Sequence, residues 1–159
     1  GFLAVWTIGY GAVQALAPYL VPRSADGLSR EVAAARIWAA ALAALPVMIA
    51  LALTGLDLRP DLILVAGLLA FGFAFAVNSS VHSYLILAYA GSKKAAEDVG
   101  FYYAANAAGR FTGTLLSGLL YQYGGIHACL IGSAVMLTAC FAFTLTLPRG
   151  SENLAAEGG

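Results

Sequence analysis

Charge is what this sequence has least of. Only 10% of its 159 residues are Asp, Glu, Lys or Arg, against about 25% in an average soluble domain. An ordinary water-soluble fold is excluded, because a chain that is 61% hydrophobic lacks the polar residues to cover its own surface. Basic and acidic side chains are equal in number, eight of each, and lie close together along the chain, so no charge excess calls for nucleic acid or an acidic partner. Cysteine is scarce as well. Cys129 and Cys140 stand eleven residues apart, without CxxC or zinc-ligand spacing, and read as small buried hydrophobes. No metal, cofactor or enzymatic chemistry is expected. "GSKK" at 91–94 lacks the glycine pattern of a phosphate-binding loop. The "NSS" at 78–80 falls inside an apolar run, where glycosylation has no access. A cleavable signal peptide is not recognisable either, since the opening has no basic segment and no small-residue cleavage site.

What the sequence does have is long uncharged runs, at 1–22, 37–56, 62–92 and 111–148. A helix needs about 20 mostly apolar residues to cross a bilayer. Splitting the last run at "YQYGG" (121–125) and extending its first half backwards gives five transmembrane helices, near 1–21, 33–56, 62–89, 98–122 and 126–147. The expected fold is an all-α, polytopic membrane helix bundle over 1–148, followed by a disordered tail at 149–159. Five buried helices of a soluble core would leave almost no polar surface.

Lys and Arg set the orientation, because cytoplasmic loops retain positive charge. Arg23, Arg30, Arg36, Lys93, Lys94 and Arg149 fall on one side, and Arg59 alone falls on the other. The C-terminal tail is therefore expected in the cytoplasm, with the chain in a bacterial inner membrane. An odd number of spans that opens deep in apolar sequence reads as a fragment, the C-terminal part of a longer protein.

Polar residues inside the spans mark the candidate site. Arg110 lies 13 residues beyond Glu97, about 20 Å along a helix and so near the middle of a hydrocarbon layer about 30 Å thick. An unpaired arginine at that depth costs at least about 2.5 kcal/mol, so it should face the bundle interior or a wet cavity. Tyr103, Asn106, Arg110, Thr114, Ser117 and Tyr121 recur at steps of three and four and form one polar stripe. Beside it, Ala105, Gly109 and Gly113 would admit a neighbouring helix. The third span adds Asn78 and His82 on one face and Ser79 and Ser83 on the next; the first adds Tyr10 and Gln14. The substrate-binding set is Arg110, Asn106, Asn78, His82, Ser83, Tyr10 and Gln14. No Asp or Glu lies deep in any span to neutralise Arg110. The structural alternative is a bond from Arg110 to carbonyls or to a carboxylate elsewhere in the bundle. His82 is either a proton-coupling group or a neutral hydrogen-bond partner. The third span is long enough to expect a bend at Gly72 or the serines, Pro46 is expected to kink the second span, and that span, with no polar side chain in its middle, is expected to face lipid.

The order of these features resembles the last five helices of a major facilitator superfamily transporter. The superfamily's acidic and basic loop motif survives only in degraded form in "PRSADGLSR", where Asp26 and Arg30 stand at the acidic and basic positions but Pro22 replaces the usual glycine and Gly27 the first basic residue, so topology and overall similarity carry the resemblance. Within that superfamily, "YGAVQALAPYLVPRSADGLSREV", "NSSVHSYLILAYAG" and "KKAAEDVGFYYAANAAGR" are similar to organoarsenical efflux permeases of the ArsJ type, over about residues 1–147. The resemblance implies export of 1-arseno-3-phosphoglycerate by alternating access, hence arsenate resistance. It also implies a functional link to a glyceraldehyde-phosphate dehydrogenase, and packing against the missing N-terminal helices of the same permease. The residues agree in kind: a multiply charged anion suits a bidentate donor such as Arg110, whereas trivalent arsenic wants soft thiolates, and neither cysteine is expected near the polar stripe. Two other readings stay open, an exporter of another anionic metabolite or drug and a non-transporting membrane scaffold.

Overall fold

The computed structural model describes residues 2–21, 25, 29–89 and 95–147. Pro22, Arg23, Asp26, Gly27, Lys93, Lys94, Arg149 and the tail expected at 149–159 lie outside the described residues. Every described element is a helix: α1 (Phe2–Leu20), α2 (Ser29–Gly55), α3 (Pro60–Tyr89) and α4 (Ala95–Thr144). Three of them, α2, α3 and α4, are long and apolar enough to cross a membrane. The chain is thus an all-helical bundle whose composition is consistent with a multi-pass membrane protein.

Local chemistry sets several of the helix ends. Pro60 opens α3, where its missing N–H costs nothing and its fixed φ suits a first turn. Asp61 follows in that turn, where a carboxylate meets the positive end of the helix dipole. Gly55 closes α2, as glycine commonly does at a helix end.

The 50 residues of α4 are not one rod. Backbone angles leave the helical region at Gly124 (φ −147°, ψ 16°) and Gly125 (φ 61°, ψ −153°). The second pair is open essentially to glycine alone. Two contacts show that the chain folds back there. Cys129 Sγ donates to the Ser117 carbonyl at 3.4 Å, although 12 residues of continuous helix would separate them by about 18 Å. Leu120 likewise packs directly on Gly132. The "YQYGG" turn is therefore a helical hairpin joining arms 95–123 and 126–144.

Contacts fix the directions of the other helices. Along α1 and α3 residue numbers rise together, with Trp6 on Gly72 and Gln14 beside Ser79, so the two run parallel. Along α2 and α3 they run oppositely, with Ile49 on Gly67 and Trp38 edge-on to Phe73 at 5.9 Å between ring centres. One end of the bundle gathers Val21, Val32, Ala35, Val81 and Leu85 into a buried cluster, against which Tyr89 and Leu147 pack. Arg36 closes that end. Its guanidinium donates to the carbonyls of Thr144 (3.4 Å), Leu145 (2.9 Å) and Leu147 (2.9 Å), satisfying acceptors that a helix C-terminus leaves open.

The second span, expected on the outside facing lipid, keeps one apolar face exposed at Ile37, Met48 and Leu51 and packs with the other. α2 packs on both α3 and α4 and buries Val32, Ala35, Ala39, Leu42, Pro46 and Ile49 along one stripe. A stripe of small apolar residues is how helices approach one another in lipid, so lack of polarity did not mean lipid exposure on every face. α2 also continues through Pro46 as a single helix, and α3 through Gly72 and its serines. Gly72 serves close packing: a Cβ there would lie 2.6 Å from the Trp6 ring.

Candidate functional site

The α1–α3 seam carries the first polar group. The parallel register brings Gln14 level with Ser79 and Ser80. Gln14 Nε2 donates to the Tyr10 hydroxyl at 3.2 Å and to Ser79 Oγ at 3.4 Å. Ser80 Oγ donates to the Ala76 carbonyl at 3.1 Å and reaches the Gln14 carbonyl at 3.5 Å. Tyr10 also leans on Phe75, with ring centres 6.0 Å apart. Tyr10 and Gln14 are thus largely engaged with each other and with α3. Ser79 and Ser80 were missing from the sequence-derived set; polar residues at matching depth on two parallel helices were the signal for them.

One turn of α3 holds the second group. His82 Nδ1 lies 2.9 Å from the Asn78 carbonyl, and because a carbonyl only accepts, Nδ1 holds a proton. The Asn78 side-chain oxygen, Oδ1, is buried and has no hydrogen-bond partner among the described residues. Ser83 Oγ and the Tyr102 hydroxyl are 3.4 Å apart, and this contact ties α3 to the first arm of α4.

Arg110 also stands on that first arm. Its side chain is exposed, as is that of Asn106 one turn earlier. Among the described residues neither side chain makes a hydrogen bond or ion pair; the Arg110 main-chain carbonyl accepts from Thr114 Oγ1 at 2.8 Å. The surrounding face is open, with Tyr103 66% exposed. The small-residue stripe expected to seat a neighbouring helix has none among the described residues: nothing lies within 4 Å of a Cβ placed on Gly109 or Gly113. The seven residues of the sequence-derived set therefore fall into separate groups. No hydrogen bond among the described residues joins Arg110 or Asn106 to Asn78, His82, Ser83, Tyr10 or Gln14.

The cysteines need a correction. Cys129 was expected away from the polar stripe, yet the hairpin lays it on the backbone of Ser117, a member of that stripe. The case against a soft-metal site rests instead on number and spacing. Eleven residues of helix separate Cys129 from Cys140, about 16 Å along the axis, too far for two thiolates to share one ion. No cluster of three metal-ligating side chains occurs among the described residues.

No family model matches the chain, and no curated protein or solved structure matches it either.

Proposed function

We propose that the chain works as part of a secondary-active exporter of an anionic, phosphate- or arsenate-bearing metabolite, with Arg110 as the cation that meets the cargo. In this reading α1, α2, α3 and both arms of α4 each cross a bacterial inner membrane, with the Arg36 end and the C-terminus in the cytoplasm. One observation carries it. Arg110 sits on a helix long and apolar enough to span a membrane, and no described side chain neutralises it. A guanidinium left so in hydrocarbon is costly, and an aqueous path crossed by anions removes that cost.

Two parallel donors of a planar guanidinium match the oxygens of a phosphate or arsenate ester. Asn106 adds neutral donors on the same face. A second helical bundle packed against this one would form the opposite wall, and rocking of the two about a midplane site gives alternating access. The resemblance to ArsJ-type permeases makes 1-arseno-3-phosphoglycerate the specific cargo, made by a partner glyceraldehyde-phosphate dehydrogenase, and arsenate resistance the outcome.

Uptake into everted vesicles tests the substrate. The arsenylated ester is expected to accumulate saturably, and unlabelled ester to compete with it. Accumulation of 3-phosphoglycerate but not of the arsenylated ester would reassign the cargo to another anionic metabolite. Absence of transport together with absence of ligand-induced thermal stabilisation would leave a membrane scaffold, for which the open Gly109 and Gly113 face is the favouring observation.

A further inference from the structure

Tyr121 and Tyr123 stand out from the tip of the α4 hairpin, 63% and 88% exposed. Gln122 between them and His127 beyond the Gly124–Gly125 turn are exposed as well. The tip is polar without being charged: no Asp, Glu, Lys or Arg occurs between Arg110 and Arg149.

We propose that this tip is an anchor in the headgroup layer of the bilayer, with Tyr121 and Tyr123 as the anchoring side chains. The inference rests on the reading that both arms of α4 cross the membrane, and is independent of Arg110 and of transport. Height comes from two rulers with a common zero. Arg36 of α2 is bonded to Thr144 of the second arm, so the two lie at one level. From Arg36, α2 runs 19 residues to its end at Gly55, about 28 Å at 1.5 Å per residue. From Thr144 the second arm runs back 18 residues to Ile126, about 27 Å. The tip and the end of α2 therefore stand at one height, and their separation from the Arg36 level matches a hydrocarbon layer about 30 Å thick. Just past Gly55 the link into α3 carries Asp57, Arg59 and Asp61, with Arg59 paired to Asp61 at 2.6 Å. Such charges are costly inside hydrocarbon and mark where it gives way to headgroups and water. The tip lies at that level.

Chemistry agrees with height. A tyrosine has an apolar ring and a hydroxyl that needs a partner, so it is best placed where hydrocarbon meets headgroups, and it is enriched there. Arrangement sets a bilayer apart from a protein partner. Two residues of helix turn by about 200°, so Tyr121 and Tyr123 stand on opposite sides of the first arm. A neighbouring helix or a second copy of the chain covers one side. A headgroup layer surrounds the tip and meets both.

Spin-label depth measurement tests this on the full chain in phosphatidylethanolamine and phosphatidylglycerol vesicles, with Cys129→Ser and Cys140→Ser removing the native thiols. A nitroxide at Gln122→Cys reports the tip while keeping both tyrosines. One at the exposed Val135→Cys, nine residues past Ile126 and so about 14 Å deeper, reports the arm. Oxygen, which collects in hydrocarbon, and a water-soluble nickel chelate are the collision partners. The label at 135 is expected to meet oxygen almost exclusively, and the label at 122 to meet both, at the depth of the lipid phosphates and glycerol. Tyr121→Leu with Tyr123→Leu removes the hydroxyls but keeps apolar bulk, and should shift the label at 122 towards oxygen. A label at 135 open to nickel would overturn the crossing of the second arm, and the anchor with it. With 135 in hydrocarbon, three results overturn the anchor alone: nickel access at 122 equal to that of a label in bulk water, shielding of 122 from both reagents, or no shift in the leucine variant.

Discussion

Exchanging Arg110 for alanine is expected to reduce uptake of the anionic cargo by about 100-fold, with the helices still folded. Truncating one partner of a hydrogen-bonded charge pair out of water costs about 2–5 kcal/mol, and about 2.7 kcal/mol corresponds to 100-fold. The fold has little to lose by this change, because the exposed guanidinium holds no described residue in place. Arg110→Lys keeps the charge but not the planar fork, so it should retain an intermediate rate with weaker apparent affinity. Asn106→Ala, which removes neutral donors only, should cost less than either. Wild-type uptake by Arg110→Ala would remove Arg110 from the transport path.

Gly125 carries the second large effect, on folding. Its φ of 61° with ψ of −153° lies where a side chain meets its own backbone, a strain of about 1–3 kcal/mol for a residue held there. Gly125→Ala should lower the melting temperature in detergent, and β-branched Gly125→Val should lower it further. The damage propagates, because this turn sets the contact of Cys129 with Ser117 and of Leu120 with Gly132. Gly118→Ala is the control. Gly118 is helical with open space about it, so alanine there should leave the melting temperature equal or slightly higher. A Gly125→Val protein that melts with the wild type would contradict the hairpin.

Helix positions were legible because the uncharged runs are long and a lone Gly-Gly pair interrupts the last of them; expected spans and observed helices or arms differ by a few residues at their ends. Partner choice was not legible. α2 has no polar mark in its middle, yet it is the helix on which α3 and α4 pack, because in lipid the contact surface is made by small side chains such as Ala35 and Ala39 and not by hydrophobic contrast. Arg36 counted only as a topology charge, whereas the structure uses it to bind three carbonyls at the end of α4. That pairing spans more than a hundred residues and leaves no local trace.

The candidate site was legible in part for the same reason. Periodicity placed Arg110 and Asn106 on one face, and both are exposed on α4. It could not tell that the Gln14 amide donates to Tyr10 and to Ser79, since register between helices is a property of packing. Asn78 Oδ1, buried without a described partner, is an acceptor left for a cargo hydroxyl or a bound water.

Water accessibility at position 110 tests the central claim most directly. In a chain with Cys129 and Cys140 replaced by serine, Arg110→Cys should react with a membrane-impermeant thiosulfonate reagent, faster with an anionic than with a neutral probe if neighbouring donors shape the field. The same sulfhydryl in Phe111→Cys, on the adjoining face, should react slowly. Failure of the thiol at 110 to react from either side of the membrane, with Phe111→Cys behaving the same way, would place that face in lipid or protein and contradict the account.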